Sequence, residues 1–248
     1  MPVILKDAGR FEIITPATPA EGRRQLRIIE KLGRICYQSE TGKITTGTAK
    51  KFVWKRMHQG HETVIEHVYM TVIFNGCSRG FTHELVRHRL ASYSQESTRW
   101  VDYAKGSDAI DLGNIQIKFV VPPHRDEHAP VDLGDGRSMT PVEMVSEVEK
   151  YYLALRRDRW FPQDARQILP TGLVAEIAAT ANLREWRHII KLRTGKNAHW
   201  EIRKVTGDLL IAIQGIIPVI FDDFVEAGVD RNGLRYFNQD PSVFKRED

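Results

Sequence analysis

Residues 67–99 read HVYMTVIFNGCSRGFTHELVRHRLASYSQESTR and contain the clearest succession of elements in the chain. The first eight residues, His67–Phe74, are rich in β-branched and aromatic side chains and predict a strand that ends at Asn75-Gly76. Ser78 then stands where the N-cap of a helix would, and we expect that helix to run to about Arg89. A polar, arginine-rich segment follows it.

Outside this stretch, strand and helix patterns mix without a regular β-α-β rhythm, which favours an α+β fold. We expect a central mixed or antiparallel sheet flanked by helices, long helices toward the C-terminus, and a single domain over residues 1–248. Further strands are predicted at Val3–Leu5, Phe11–Ile14 and Ile115–Val121, with a strand or buried apolar segment at Gly172–Thr180. Helices are predicted at Glu21–Tyr37, Thr48–Gln59, Val142–Arg157, Pro162–Leu169, Asn182–Arg193 and Ala198–Phe221. We expect Trp100–Gly113 to be irregular and Pro122–Pro141 to be a surface loop.

The composition excludes several classes of protein. Of the 248 residues, 42% are hydrophobic and 27% charged, which is typical of a folded globular chain. The net charge of +4 permits an anionic partner without requiring nucleic acid. Two cysteines, Cys36 and Cys77, cannot form a disulfide scaffold. The most apolar stretch, Leu209–Phe221, is too short to cross a bilayer. We therefore expect a cytoplasmic protein with no membrane or nucleic-acid partner.

The segment Arg87–Arg99 combines three arginines and four Ser or Thr hydroxyls with one acid. Arginine presents a rigid fork of donors that fits phosphate, and hydroxyls complete such a site. On a helix, Arg87 and Arg89 would point to nearly opposite sides, toward two ligands or toward a ligand and a second subunit. The alternative is a solvated helix end with a Ser/Thr-rich turn.

The segment Asn182–Lys204 carries seven Lys or Arg and two Glu. Asn182 followed by Glu185 predicts a capped helix start, and helix N-termini attract anions. One stripe of this helix holds Asn182, Trp186, Ile189 and Arg193, and a second holds Arg184 and His188. The alternative is a core stripe with a basic solvated face. An arginine on an apolar stripe must nevertheless be paired or face a pocket.

His61 to His67 contains two histidines and two glutamates, which suggests a metal site at first sight. The histidines are six apart, whereas the helical zinc motif needs a spacing of four, so a turn into a strand is favoured and no metal is expected. No glycine-rich phosphate loop and no Gly-x-Gly-x-x-Gly pattern is present in the sequence.

Four pieces of the chain, in order, resemble the flavin-dependent thymidylate synthases, the ThyX family. The hallmark Arg-His-Arg, followed after seven residues by Ser, corresponds to Arg87-His88-Arg89 and Ser97. The remaining matching pieces are His-x-Thr-x-x-Glu-His at 61–67, Ala-Arg-Gln-Ile-Leu-Pro at 165–170, and Asn-Leu-Arg at 182–184 with Leu-Arg at 192–193. The resemblance spans roughly Lys51 to Ile217.

The resemblance implies a ThyX-like fold and an enzyme, a methyltransferase that converts dUMP to dTMP. Methylenetetrahydrofolate would donate the carbon, FAD would carry the hydride, and NADPH would reduce the flavin. Without a cysteine nucleophile, a cation must stabilise negative charge on the uracil ring, and the family's arginine for this role corresponds to Arg193. The family forms homotetramers with sites shared between subunits.

The residues implied by this resemblance fall into two sets. Flavin contacts are implied at Thr63, Arg87, His88, Arg89, Gln95, Asn182, Leu183, Arg184 and His188. Contacts to dUMP are implied at Glu84, Leu85, Val86, Arg87, Gln95, Glu96, Ser97, Thr98, Arg99, Arg166 and Arg193. His61 corresponds to a histidine on the folate and flavin side.

The sequence departs from the family pattern at three of these positions. One is Gln95, where some members have glutamate and glutamine is a common alternative. Glu84 replaces a glutamine and, because phosphate would repel it, must contact base or ribose or pair with an arginine. His188 replaces an asparagine but can still donate and accept hydrogen bonds.

Two other functions explain single segments. A metal-dependent nucleotide hydrolase would use His61, Glu62, Glu66 and His67 and release phosphate without flavin. A non-catalytic RNA- or nucleotide-binding module would use Asn182–Lys204 and bind with a steep salt dependence.

Overall fold

A computed structural model of the chain describes residues 2–7, 9–36, 38–39, 42–104 and 117–245. It is an α+β protein, as expected. The helices are α1 (Pro19–Ile35), α2 (Thr46–His58), α3 (Arg79–Leu85), α4 (Pro141–Arg157), α5 (Pro162–Ala165), α6 (Leu183–Arg193) and α7 (Trp200–Ile216). The strands are β1 (Val3–Leu5), β2 (Arg10–Thr15), β3 (Tyr69–Ser78), β4 (Ser92–Gln95), β5 (Lys118–Val120), β6 (Val131–Asp132), β7 (Ser138–Met139), β8 (Val174–Asn182), β9 (Phe224–Val229) and β10 (Arg235–Gln239). Short 3₁₀ helices occupy Glu62–His67, Arg166–Ile168 and Pro241–Lys245.

Three of the long helices start with the same local device. Thr18, Thr45 and Thr140 lie just before α1, α2 and α4, and each hydroxyl accepts a hydrogen bond from the backbone N–H three residues on. The side chain at that third position returns a hydrogen bond to the N-cap N–H. This reciprocal capping box satisfies two N–H groups that the helix cannot pair internally, so these boundaries follow from local sequence.

Four of the strands form one sheet in the order β2-β3-β8-β4. The remaining pairs are β1 with β5, which is parallel, and the antiparallel pairs β6 with β7 and β9 with β10. Thr71 on β3 and Thr180 on β8 face each other with their hydroxyl oxygens 2.9 Å apart. Strands β3 and β8 matter for function because α3 follows the first and α6 follows the second.

The chain divides into two compact units, and the expectation of one functional domain stays a prediction. Residues 1–10, 75–83 and 95–177 form the first unit. Its core contains Phe119, Tyr152, Leu153 and Leu173, which are at most 5% exposed. Within it, Arg156 on α4 holds Asp102 with Nη2 2.6 Å from Oδ2, and this guanidinium lowers the pKa of the Asp102 carboxyl.

Residues 11–74, 84–94 and 178–248 form the second unit. Helices α1, α6 and α7 bury their apolar faces there. Gly22 on α1 lies so close to α7 that an added Cβ would stand 1.9 Å from the carbonyl oxygen of Ile216. Trp186 is fully buried, and its indole N–H donates to the carbonyl of Met70 over 2.8 Å.

An ion pair links α6 to the C-terminal hairpin of the second unit. Arg187 is 4% exposed and donates to both carboxylate oxygens of Asp223, at 2.6 and 2.7 Å. Gln239 on β10 donates to the same carboxylate over 2.9 Å. Because both charges are enclosed, each depends on the other for stability.

The structure corrects two predictions in the stretch from 67 to 99. Strand β3 starts at Tyr69 and continues through Asn75-Gly76 to Ser78, because Gly76 adopts a positive φ of 64° and the strand bends instead of ending. Ser78 Oγ accepts from the N–H of Phe81 over 3.1 Å, so the predicted cap is confirmed. The helix it opens ends at Leu85, however, so Arg87 and Arg89 do not lie on it.

Other differences lie toward the C-terminus. The expected loop Pro122–Pro141 contains the small hairpin β6–β7, and the last long helix ends at Ile216, before Pro218. The hairpin β9–β10 was not predicted, although Asp230 to Gly233 is a recognisable turn signal between alternating strands. Predictions that fall on Tyr37 and on residues 105–116, including much of Trp100–Gly113 and the start of Ile115–Val121, lie outside the described residues.

Candidate functional site

Helix α6 carries the side chains on which the candidate site is built. Asn182 caps it, with Oδ1 accepting from the N–H of Glu185 over 2.8 Å. The apolar stripe through Trp186 and Ile189 is fully buried, as predicted from the spacing. The other predicted stripe, with Arg184 and His188, is exposed. The burial of one stripe therefore fixes the direction in which the polar stripe points.

A cleft of about 560 Å³ opens along this exposed stripe, within the second unit. Its walls come from the 3₁₀ turn Glu62–His67, from the arginine-rich segment, from α6 and from the C-terminal hairpin. The lining residues are Glu62, Glu66, Leu90, Asn182, Arg184, Glu185, Arg187, His188, Lys191, Phe224 and Gln239.

The charges in this cleft are balanced before any ligand binds. Arg184 donates to Glu66 with Nη1 2.5 Å from Oε1, and Arg187 donates to Glu62 with Nε 3.2 Å from Oε1. The neighbouring carboxylates raise the pKa of Arg184. An anionic ligand entering here would replace a carboxylate as the partner of Arg184.

These residues fit the phosphate-bearing part of the expected flavin. The cleft contains Asn182 at the N-terminus of an 11-residue helix, where the helix dipole favours an anion. Arg184 and Lys191 add positive charge, and His188 can donate or accept a hydrogen bond. Phe224 adds an aromatic wall.

A second cluster surrounds Arg193 at the last residue of α6. Its Nε donates to His88 Nε2 over 3.0 Å, Nη1 donates to Glu84 Oε2 over 2.7 Å, and Nη2 donates to the Glu84 carbonyl over 2.8 Å. These bonds commit three of the five N–H donors of a guanidinium. The sequence required Arg193 to be paired or to face a pocket, and Glu84 is its partner. Glu84 also lies 3.9 Å from His199 Nδ1.

His88 is enclosed at the centre of this cluster and is 4% exposed. Its Nδ1 lies 3.6 Å from Glu185 Oε1, and its ring stands edge-on to His188 with centroids 5.5 Å apart. Burial, followed by the positive charge of Arg193 and by His188, lowers the pKa of His88 to about 4. Burial raises the pKa of the Glu185 carboxyl. His88 is therefore neutral near pH 7, with Nε2 available as an acceptor.

The first unit holds the predicted dUMP residues that follow β4. Arg166 Nη1 donates to Thr98 Oγ1 over 3.0 Å, and Arg99 Nε donates to Gln163 Oε1 over 3.1 Å. Ser97 Oγ accepts from the Arg99 N–H over 3.3 Å. The Ser97–Arg99 turn thus carries one arginine and accepts a hydrogen bond from a second, Arg166, and guanidinium groups are donors suited to phosphate.

The side chains of Gln95 and Glu96, at the start of that segment, both form hydrogen bonds to neighbouring side chains. Gln95 Nε2 donates to Thr82 Oγ1 over 2.8 Å. Glu96 Oε1 accepts from the Tyr103 hydroxyl over 2.6 Å, and burial, followed by this hydrogen bond, raises the pKa of Tyr103.

The other predicted residues differ in their exposure. His61, Thr63, Arg87 and Arg89 are exposed, and Val86 is half-buried. Leu85 and Leu183 are fully buried.

Sequence reasoning missed Lys191, Phe224 and Gln239 as cleft residues and Glu185 as the neighbour of His88. Lys191 follows His188 by three on the same helical stripe, so periodicity contained the signal. Phe224 and Gln239 depend on the hairpin that was not predicted. Nothing in the sequence alone places Glu185 beside His88.

The hydrolase alternative requires a metal site, and the described part of the chain offers no cluster of metal-binding side chains. There, no three His, Cys, Asp or Glu side chains lie close enough to hold a metal ion. Glu62 and Glu66 instead pair with the arginines of α6. Within the same residues, none of the helices has the length and apolar character needed to span a membrane.

Comparison with known proteins gives one consistent family. The family described as thymidylate synthase complementing protein matches residues 21–219. The flavin-dependent thymidylate synthase of Mycobacterium tuberculosis H37Rv is 33% identical over 217 residues, covering 84% of this chain and 82% of that protein. The Mycobacterium marinum protein of the same name is 31% identical over 238 residues, covering 90% of each. A crystal structure of the UMP/dUMP methylase PolB from Streptomyces cacaoi, bound with 5-Br dUMP, has a similar fold. Its TM-score is 0.63 at 21% identity, over 89% of this chain and 95% of that one.

Proposed function

Because this chain belongs to the thymidylate synthase complementing protein family, whose relatives above are flavin-dependent thymidylate synthases, we propose that it methylates dUMP to dTMP. Methylenetetrahydrofolate is the carbon donor, FAD the cofactor and NADPH the reductant. The enzyme works in the cytoplasm as a homotetramer whose subunits share sites.

One observation carries this proposal: a single helix, α6, both lines the cleft and ends in the arginine that Glu84 and His88 hold. Asn182, Arg184 and His188 line the cleft, and Arg193 ends the same helix. A rigid helix keeps groups at fixed separations, which a reaction between a bound cofactor and a bound nucleotide requires.

Arg193 activates the pyrimidine. New bonding at uracil C5 needs electron density there, and a guanidinium beside the ring stabilises the negative charge that delivers it. The fully buried Trp186 and Ile189 precede Arg193 on its stripe and lower the local dielectric, which strengthens this effect. No thiolate is needed, and Cys77 is fully buried.

Asn182, Arg184 and His188 hold the flavin, together with Arg89 and Thr63. When bound, the flavin supplies the hydride. The exposed ion pair between Arg184 and Glu66 opens to admit a cofactor phosphate, because a doubly bound phosphate outcompetes one carboxylate. The Ser97–Arg99 turn with Arg166 holds the nucleotide phosphate. His61 serves the folate side.

The test is a visible absorption spectrum of the protein after incubation with FAD and desalting, followed by a dTMP assay. We expect retained oxidised flavin that bleaches with NADPH, and dTMP formation from dUMP and methylenetetrahydrofolate. Arg89→Ala should weaken flavin retention. The control is Arg137→Ala, which removes an exposed arginine of the first unit and should leave flavin retention unchanged.

The same samples discriminate the alternatives. A colourless, folded protein that releases phosphate from nucleotides with a divalent metal would support the hydrolase. Retained flavin without dTMP formation would support the cofactor site but contradict the proposed reaction.

A further inference from the structure

Arg193 is held by two groups of different character. The Glu84 side chain is 32% exposed and also faces His199, so water and a second cation compete for its carboxylate. The His88 side chain is 3% exposed and presents one nitrogen to Arg193. A solvated ion pair is weak and exchangeable, whereas an enclosed hydrogen bond is costly to leave unmade. When a ligand displaces the Glu84 carboxylate, Arg193 thus keeps its hydrogen bonds to His88 and to the Glu84 carbonyl, and His88 is the only side chain of the three partners that stays bonded.

His88 is itself fixed from the backbone side. The Tyr93 hydroxyl donates to the His88 carbonyl over 2.9 Å and to the Leu85 carbonyl over 2.7 Å. The turn after α3 is therefore closed by one side chain.

The proton on the His88 ring has one favourable position. Arg193 Nε–H points at Nε2, so Nε2 must carry the lone pair and Nδ1 the hydrogen, facing Glu185. The charged or titratable groups facing the ring are Arg193, Glu185 and His188, all on α6. The lowered pKa of His88 agrees with a ring that stays neutral while it accepts from Arg193.

We propose that His88 is a positioning residue, whose Nε2 holds the Nε–H edge of Arg193 so that the remaining donors face the pyrimidine. This role rests on the proposed function of Arg193. It differs from the flavin contact that the family resemblance implies for His88, because the enclosed ring does not line the cleft.

The geometry is tested first by ¹⁵N NMR of the histidine side chains, with His88→Gln used to assign the signal. We expect His88 to be neutral near pH 7 with hydrogen on Nδ1. We also expect its pKa to rise in Arg193→Ala, because a positive neighbour and a donor are removed. A ring with hydrogen on Nε2, or a pKa unmoved by Arg193→Ala, would overturn the proposal whatever the protein catalyses.

The role is then tested by dTMP kinetics. His88→Leu should lower kcat/KM for dUMP by about 10- to 100-fold, the range for loss of one hydrogen bond to a charged group, with most of the effect in kcat. His88→Gln keeps an acceptor and should recover much of the rate. His58→Leu is the matched control, because it removes a histidine bonded to the Phe244 carbonyl at 2.8 Å outside this cluster.

Equal losses in His88→Leu and His88→Gln, or a full rate in His88→Leu, would contradict the positioning role. A wild-type protein that forms no dTMP would instead count against the proposed function, and the NMR result would still decide the geometry.

Discussion

At the scale of single residues, the key contact is that of Arg193 with two residues 109 and 105 positions earlier in the chain, Glu84 and His88. Arg193 lies on an apolar helical stripe, and that alone required a partner or a pocket. The identity of the partner was left open, and the structure supplies Glu84 and His88. Glu84 comes from α3, so its contact depends on how the chain folds back, which local sequence does not encode. The same limit applies to Glu185 beside His88.

Arg193→Ala should leave the protein folded and able to retain flavin but lower kcat for dTMP formation by about 10²- to 10³-fold, the usual effect of removing a donor that stabilises developing charge. Flavin absorbance and dTMP formation are measured on the same sample. Arg235→Ala, on β10, removes an arginine from an exposed pair and serves as the control. Normal turnover in Arg193→Ala would remove the activating role.

The lowered pKa of His88 predicts a pH dependence of stability. In the unfolded chain a histidine binds its proton near pH 6.5, whereas His88 in the folded protein binds it near 4. The unfolded state therefore gains protons first as pH falls. The free energy of unfolding should fall by about 2 kcal/mol from this group between about pH 7.5 and about pH 5. Urea unfolding of the wild type and of His88→Gln at both pH values measures it, and equal slopes in the two proteins would contradict it.

At the scale of elements, helices with local start signals were well predicted, and elements that depend on tertiary contacts were not. The starts of α1, α2, α4 and α6 lie within a few residues of the predicted ones, since their caps are local. The continuation of β3 to Ser78 was missed because Gly76 tolerates a positive φ, which lets the strand continue past a dipeptide that usually ends one.

Gly22 on α1 gives a prediction about how closely two helices approach. Gly22→Ala should destabilise the protein by about 1–3 kcal/mol, because the new methyl group would collide with the Ile216 backbone and force α1 and α7 apart. Gly215→Ala, also near the end of α7, meets nothing within 4 Å and should be neutral or slightly stabilising. Thermal unfolding of both variants measures the difference, and equal effects would refute the close approach.

The pair Arg187–Asp223 gives a prediction about the attachment of the C-terminal hairpin. Asp223→Ala should lower the free energy of unfolding by about 3–5 kcal/mol, because it removes the buried carboxylate that pairs with the Arg187 guanidinium. Asp135→Ala breaks the exposed pair with Arg137 and should leave the free energy of unfolding nearly unchanged. A small effect at Asp223 would mean that water reaches Arg187.

At the scale of the whole molecule, the α+β class, the family and the fact that the protein is an enzyme were all predictable. Ordered motifs identified the family, and mixed elements without β-α-β rhythm identified the class. The two-unit organisation was not predicted, because each unit is assembled from three separated segments and composition does not change between them. The cleft was predicted in part, through α6, and was completed by a hairpin that sequence reasoning had overlooked.

Cofactor binding should be visible as a change in global stability. A ligand that binds only the folded state at about 100 times its Kd adds about 2.7 kcal/mol. For a chain of this length that corresponds to a rise in Tm of about 5–10 °C. Differential scanning fluorimetry with and without FAD measures it, and Arg184→Ala should reduce the rise. An unchanged Tm in saturating FAD would contradict flavin binding by the folded chain.

The burial of Trp186 has an optical consequence. The other four tryptophans, all in the described part of the chain, are half-buried or exposed. A water-soluble quencher such as iodide should therefore quench their fluorescence preferentially. The emission that survives should come mainly from the indole of α6, blue-shifted by its dry surroundings. The isoalloxazine ring of a flavin absorbs at the wavelengths where tryptophan emits. A flavin bound along α6 would therefore quench the remaining Trp186 fluorescence by resonance energy transfer. Trp186 is thus an intrinsic fluorescent probe on α6. A decrease in its emission during a titration with flavin would report occupancy of the cleft without any added label.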